Sequence, residues 1–279
     1  MGAEITPADE RRHQPGPGRE WEESWYLDFV SADGGLAGFV RLTLRPGEGT
    51  AWFWAGVVGG GPNLVAVRDH EVPTPKAPGL EVRASGLWTE LVCETALDHW
   101  SVGLEAFGVA LDDPLEAWGQ ERGDPWALGL DVEWEAVAPP TPWPAGVAGY
   151  WQGCAVSGDV LVGAERFTLD GAGTRVHLWG DPGRTVPSGW ASGRLDDGTA
   201  FVVCDPSPEL DEQGRLRAVA FDGWGGEVAG MAGIHAQAPV LLHGAGRLAR
   251  AVCRYTVADG RSGAGWAEWF SPGATSALP

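Results

Sequence analysis

Hydrophobic and polar residues alternate with a period of two over much of this chain. In Asp131-Val132-Glu133-Trp134-Glu135-Ala136-Val137, acids hold the odd positions up to Glu135 and apolar residues hold the even ones. Such alternation predicts an antiparallel strand with one face buried and one in water. Phe39 to Leu44, Leu87 to Cys93 and His99 to Ala106 repeat the pattern, with Trp100, Val102, Leu104 and Ala106 on one face of the last. Turn signals separate these runs: Asp33-Gly34-Gly35, Pro46-Gly47-Glu48-Gly49, Gly59-Gly60-Gly61-Pro62 and Pro75-Lys76-Ala77-Pro78-Gly79. Strands at this spacing predict an all-β sandwich or barrel. Helical periodicity is nearly absent. Asp113 to Trp118 predicts one short helix, because Asp113 can cap it and Pro114 suits its first turn.

Ala138-Pro139-Pro140-Thr141-Pro142-Trp143-Pro144-Ala145-Gly146 interrupts the pattern, since four prolines cannot sit in a central strand. Residues 139–148 are therefore expected to be a linker between two β domains, 21–138 and 149–279. In the second, strands are expected at Tyr150 to Val162, Arg166 to Leu169, Arg175 to Trp179, Ala200 to Cys204, Leu216 to Phe221, Arg247 to Val257 and Gly265 to Phe270. Residues 1–20 are polar and rich in Pro and Gly, which predicts a disordered leader.

Composition narrows the function classes. The formal charge is −19, which repels phosphate backbones and argues against nucleic acid as a partner. No stretch of about 18 apolar residues occurs, so no membrane span is expected. The N-terminus lacks the apolar core of a signal peptide, so a cytoplasmic location is expected. Cys93, Cys154, Cys204 and Cys253 form no C-x-x-C and have no close zinc-ligand spacing with a His. They are read as reduced thiols, and no metal is expected. P-loop, G-x-S-x-G and H-E-x-x-H motifs are absent, and no cofactor is expected. The 279 residues include 16 Trp, more than an ordinary core requires.

The segment Gly171 to Gly180 carries the most distinctive chemistry. Its glycines are read as turning the chain, after which Arg175, His177 and Trp179 share one face of a strand. His177 can move a proton near neutral pH. Trp179 can stabilise a developing cation through its π face, and Arg175 can hold a carboxylate or an enolate-like oxygen. The same pattern also fits a solvated barrel face bearing one exposed indole. A second cluster surrounds Asp98-His99, a candidate acid–base pair, with the alternative that its acids are the wet face of alternating strands. Asp28, between Leu27 and Phe29, is a candidate buried acid.

Gly173-x-Arg175-x-His177-x-Trp179-Gly180 resembles the G-x-R-D-H-x-W-G strand of the carotenoid 1,2-hydratase (hydroxyneurosporene synthase) and AttH-like family. Asp259 to Glu268 is similar to that family's closing G-x-G-x-x-E strand, and Glu23 to Phe29 to its aromatic first strand. The resemblance covers about Trp21 to Phe270. It implies two lipocalin-like antiparallel β barrels or half-barrels packed together, with little helix and a cavity for a long apolar molecule. Some members hydrate an isolated alkene of a carotenoid, and related fungal proteins guide polyene cyclisation. Val176 stands where the motif has Asp, and Leu178 replaces a small polar residue. The family's Tyr and acid on the following strand are matched only by Cys204-Asp205, which makes Asp205 a candidate acid.

Three functions follow as alternatives. The first is a cofactor-independent lyase, isomerase or cyclase for a terpenoid, polyketide or steroid-like substrate. In it His177, Asp205, Asp98 or His99 would transfer the proton, and Arg175, Trp179, Trp100, Trp88, Trp25, Asp28, Trp266 and Glu268 would line a Trp-rich cavity. The second is a carrier for the same kind of hydrophobic small molecule. The third is a structural β domain whose indoles fill its core.

Overall fold

The computed structural model describes residues 4–119, 123–143, 147–181, 188–221, 230–242 and 246–272. Eleven strands build a first sheet: β1 (Glu22–Ser31), β2 (Ala37–Arg45), β3 (Thr50–Val58), β4 (Leu64–Pro73), β5 (Leu80–Ala84), β6 (Leu87–Thr95), β7 (His99–Leu111), β8 (Asp124–Ala136), β9 (Thr141–Pro142), β10 (Ala148–Val162) and β11 (Glu165–Gly180). Eight build a second: β12 (Gly189–Leu195), β13 (Ala200–Cys204), β14 (Ser207–Leu210), β15 (Leu216–Phe221), β16 (Gly230–Gln237), β17 (Val240–Leu242), β18 (Gly246–Val257) and β19 (Ser262–Pro272). All pairings are antiparallel. The first sheet runs β4-β3-β2-β1-β11-β10-β8-β7-β6-β5, and β4 also pairs with the end of β7, at Leu64↔Leu111, which closes it into a barrel. The second sheet, β13-β12-β19-β18-β16-β15-β14, is an open half-barrel among the described residues. The expected all-β architecture of two curled antiparallel sheets is therefore present.

Strands with one wet face follow their alternation. On β8, Leu128, Leu130, Val132 and Trp134 are buried, while Asp131, Glu133 and Glu135 are exposed. β1 behaves differently: every residue from Glu23 to Val30 is buried. Trp25, Leu27 and Phe29 enter the barrel core, and Tyr26 and Val30 pack in the cluster shared with Val252 and Trp266 of the second sheet. A strand covered on both faces loses its periodic signal. The short helix is a 3-10 turn, Pro114–Trp118, and the Asp113 carboxylate accepts from the Leu115 N–H at 3.0 Å.

Three expectations are changed. The Pro-rich segment does not divide the two sheets: β9 lies within it, the two strands after it complete the first barrel, and the chain changes sheet between Gly180 and Gly189. The long β10–β11 hairpin is needed there to join β8 to β1. Gly171 and Gly173 do not turn the chain either. β11 runs through both, and a Cβ on Gly173 would lie 1.9 Å from the Asp28 carbonyl oxygen, so the glycine permits close approach of β1. Finally, residues 4–20 are ordered against the barrel. Pro7–Glu10 forms a 3-10 turn, and Glu10 is 5% exposed.

Candidate functional site

One end of the barrel holds a buried polar cluster. Cross-strand register places Trp25 of β1 and Tyr150 of β10 beside His177 of β11, and Gln152 beside Arg175. Because side chains two apart share a face, Arg175, His177 and Trp179 all project with Trp25 toward the barrel interior. His177 is 1% exposed and Arg175 3%, whereas Trp179 is half-buried at the rim. Residues 7–13 of the N-terminal segment lie over this end and contribute two more groups, Glu10 and His13.

The imidazole of His177 is held by a carboxylate. Its Nε2 lies 3.0 Å from Glu23 Oε1, and Glu23 is 1% exposed. Glu23 also accepts from the His13 backbone N–H at 3.0 Å and faces His13 Nδ1 at 2.8 Å. Burial alone would raise the Glu23 pKa, but hydrogen bonds from His13 and His177 hold it below the usual carboxylate range. Burial pushes His177 below its ordinary imidazole value, against the raising effect of Glu23. Near neutral pH the pair is thus a carboxylate and a neutral imidazole. An ionised carboxylate only accepts, so the His177 proton sits on Nε2 and Nδ1 keeps a bare lone pair. Nδ1 is buried and has no hydrogen-bond partner. Aromatic rings box it in: Trp25 stacks on His177 with centroids 4.5 Å apart, Trp179 lies at 5.0 Å and Tyr150 at 5.8 Å.

His13, Glu23 and His177 each offer one ligand atom within 4.8 Å of the others, a donor set able to hold a metal ion. Spacing along the chain carries no sign of this set, because its three members lie far apart in sequence. The hydrogen bonds within the trio also satisfy these ligand atoms without an ion.

Beside this trio, Arg175 pairs with Glu10. Its two terminal nitrogens lie 2.7 and 3.2 Å from the Glu10 oxygens, and one also reaches Gln152 Oε1. Arg175 Nε has no partner. Burial would raise the Glu10 pKa, but the Arg175 charge and hydrogen bonds from Arg175 and Tyr150 hold it below the usual range.

A second buried polar group lies on the opposite face of β1, between the sheets. Asp28 accepts from Tyr26 Oη at 2.9 Å, from Ser192 Oγ of β12 at 3.2 Å and from the Thr174 backbone N–H at 2.7 Å. Burial pushes its pKa up to about 6, despite those hydrogen bonds. Arg250 of β18 donates to Tyr26 Oη and to Glu268, and stacks over Phe39 at 4.1 Å. Trp266 donates from Nε1 to the Phe29 carbonyl.

The sequence candidates therefore fall in three places. Arg175, His177, Trp179, Trp25 and Trp100 meet at the barrel end. Asp28, Trp266 and Glu268 lie between the sheets. The remainder join neither cluster. Asp98 is exposed on the β6–β7 turn, and His99 points to the outer wall, 3.6 Å from Glu133, because its neighbour Trp100 points inward. Asp205 is exposed after β13, where its carboxylate accepts from the Ser188 N–H. Trp88 walls a groove of about 500 Å³ on the outer barrel surface, with Leu161 and the acids Glu105, Asp131 and Asp159. Three indoles of the expected cavity lining are packed as core: Trp25, Trp100 and Trp266 are each 2% exposed.

Glu23, Tyr150, Gln152, Glu10 and His13 complete the barrel-end cluster and were not singled out from sequence. Glu23 carried a signal, being an acid in phase with Trp25, Leu27 and Phe29. Glu10 and His13 carried none, since a polar Pro/Gly segment gives no periodicity.

Comparisons with known proteins agree with this architecture. In fold the chain is similar to an AttH-type protein from Nitrosomonas europaea, with 13% identity, 96% of this chain and 97% of that one covered, and a TM-score of 0.61. It is similar to kievitone hydratase from Nectria haematococca, with 11% identity, 90% and 89% coverage and a TM-score of 0.58. CghA, solved with Sch210972, gives 12% identity, 91% and 89% coverage and a TM-score of 0.50. Identities this low establish a shared fold. No curated protein matches the chain by sequence. No helix among the described residues is long and apolar enough to cross a membrane. Residues 6–223 match the family described as Domain of unknown function (DUF7064), and the chain belongs to that family.

Proposed function

We propose that this protein is an enzyme that moves a proton on an apolar, unsaturated small molecule of terpenoid, polyketide or steroid-like character, with His177 as the base. One observation carries the reading: His177 presents a bare Nδ1 in a buried aromatic box while its Nε2–H is held by ionised Glu23. A buried lone pair without a partner is costly in a purely structural residue and useful in a base. When Nδ1 takes a proton from a ligand carbon or from an attacking water, His177 becomes an imidazolium. Glu23, one hydrogen bond away, stabilises that charge. Return of the proton to a different carbon completes an isomerisation, and delivery to the far alkene carbon after water attack completes a hydration. Trp25, stacked on His177, offers its π face to the imidazolium that forms there.

The kinship in fold with a protein named kievitone hydratase supports a hydration-type reaction on an apolar molecule. The structure solved with Sch210972 supports a small-molecule ligand for this fold. Native mass spectrometry of the purified protein tests the reading by identifying the molecule it carries. His177→Gln is expected to retain that molecule and to stop its conversion. Conversion that survives the substitution would remove His177 from the chemistry, and a molecule carried without any conversion would make the protein a carrier.

A further inference from the structure

The Glu10 carboxylate sits in more donors than one ion pair requires. Its Oε1 accepts from Arg175 at 2.7 Å and from the Leu97 backbone N–H at 2.7 Å. Its Oε2 accepts from Arg175 at 3.2 Å, Tyr150 Oη at 2.7 Å and Trp100 Nε1 at 3.0 Å. All five donors belong to the barrel: the β6–β7 turn, β7, β10 and β11. The acceptor alone comes from outside it. Within residues 4–20, Glu10 is the one buried side chain, and its neighbours Pro7, Ala8 and Arg11 are exposed. The chain thus lies across the barrel end and lowers a single carboxylate into it. Three residues later, His13 lays its ring on Trp179, with centroids 3.9 Å apart and planes 12° from parallel. A carboxylate and a flat unsaturated ring from one short segment therefore fill two adjoining positions on the barrel wall.

We propose that the pocket around Arg175 is a receptor for the carboxylate of an apolar, unsaturated carboxylic acid, and that Glu10 occupies it as a tethered stand-in which the ligand displaces. The assignment names the substrate class for the barrel-end site and rests on reading that site as the one that binds ligand. Exchange of one carboxylate for another keeps all five hydrogen bonds and leaves the Arg175 charge paired. An uncharged ligand that drove Glu10 out would strand a buried cation, which is strongly unfavourable. Residues two apart on a strand are separated by about 7 Å, so a ligand held by Arg175 places its unsaturated body beside His177 and along the face of Trp179 that His13 now covers.

The test uses the full chain with decanoate and decanol, which share a tail and differ in the charged group. Binding is followed by isothermal titration, and amide hydrogen exchange is followed over residues 7–13. Decanoate is expected to bind in preference to decanol and to speed exchange across residues 7–13 as Glu10 leaves. Glu10→Ala removes the competing carboxylate and should tighten decanoate binding by about tenfold or more, since affinity is otherwise reduced by the fraction of open sites. Adding Arg175→Met to Glu10→Ala should abolish the preference for decanoate. If Glu10→Ala does not fold, Glu10→Gln and the two wild-type measurements decide. Equal affinity for the two probes, or decanoate binding that leaves exchange over residues 7–13 unchanged, overturns the proposal. Conversion that survives His177→Gln would overturn the catalytic reading alone, because decanoate binding does not require His177.

Discussion

His177 Nε2 lies 3.0 Å from Glu23 Oε1, and both side chains are buried. The hydrogen bond and charge of Glu23 raise the His177 pKa against the larger lowering effect of burial. Glu23→Gln keeps an acceptor in place and removes the charge. His177 should then titrate at lower pH, and the acidic limb of the rate profile should move down with it. The maximal rate should fall by about a hundredfold, the lower end of what a positioned base contributes. A pH–rate profile of both proteins checks the shift, and an acidic limb that stays in place would contradict it.

The Arg175–Glu10 pair predicts a large and asymmetric stability effect. Arg175→Met leaves a buried carboxylate without its cation and should cost about 3–5 kcal/mol in urea unfolding. The double variant Glu10→Gln with Arg175→Met should recover part of that loss. The Glu10 pKa is held below 4.5 in the fold. Its contribution is therefore present above the unfolded value and is lost as pH falls through the folded one. Wild type should lose this increment in acid, and Glu10→Gln should not.

Asp28 predicts the opposite slope. Its pKa rises from 3.8 to about 6 on folding. Between those values the native state binds more protons than the unfolded chain, so its stabilising contribution is full below 3.8 and declines as pH rises through about 6. The expected size is about 3 kcal/mol at most, from 1.36 kcal/mol per pKa unit. Unfolding free energies of wild type and Asp28→Asn, measured from pH 4 to 7, should differ by a term that falls with pH in wild type alone. A constant difference would contradict it.

Gly173→Ala tests how β11 reaches the site. An added Cβ would sit 1.9 Å from the Asp28 carbonyl oxygen, against backbone that cannot swing aside. The cost should reach about 3 kcal/mol, the upper end for overpacking. Near-ultraviolet circular dichroism should report disturbed packing of Trp134, whose Nε1 donates to that same carbonyl at 2.7 Å.

Where one face of a strand is wet, the alternation of residues shows the fold directly, as on β7 and β8. β1 hides its role because the barrel covers one face and the second sheet the other. Arg175, His177 and Trp179 could be grouped from sequence for the same reason that Asp98 and His99 could not: strand neighbours two apart share a face, and adjacent ones oppose. Four prolines suggested a boundary, yet a boundary is set by which edges pair, and β10 and β11 pair with strands far earlier in the chain. Glu10 is the deepest miss. A single buried carboxylate in a polar segment leaves no trace in composition, and only the five donors that receive it show its place.

Transfer of a proton at His177 is tested most directly by deuterium uptake into the bound molecule. Protein carrying its co-purified ligand is moved into D₂O, and the ligand is released and weighed by mass spectrometry. Wild type should introduce deuterium at ligand carbon, and His177→Gln, with the same ligand still bound, should introduce none. Equal uptake in both proteins would contradict the assignment of His177 as the base.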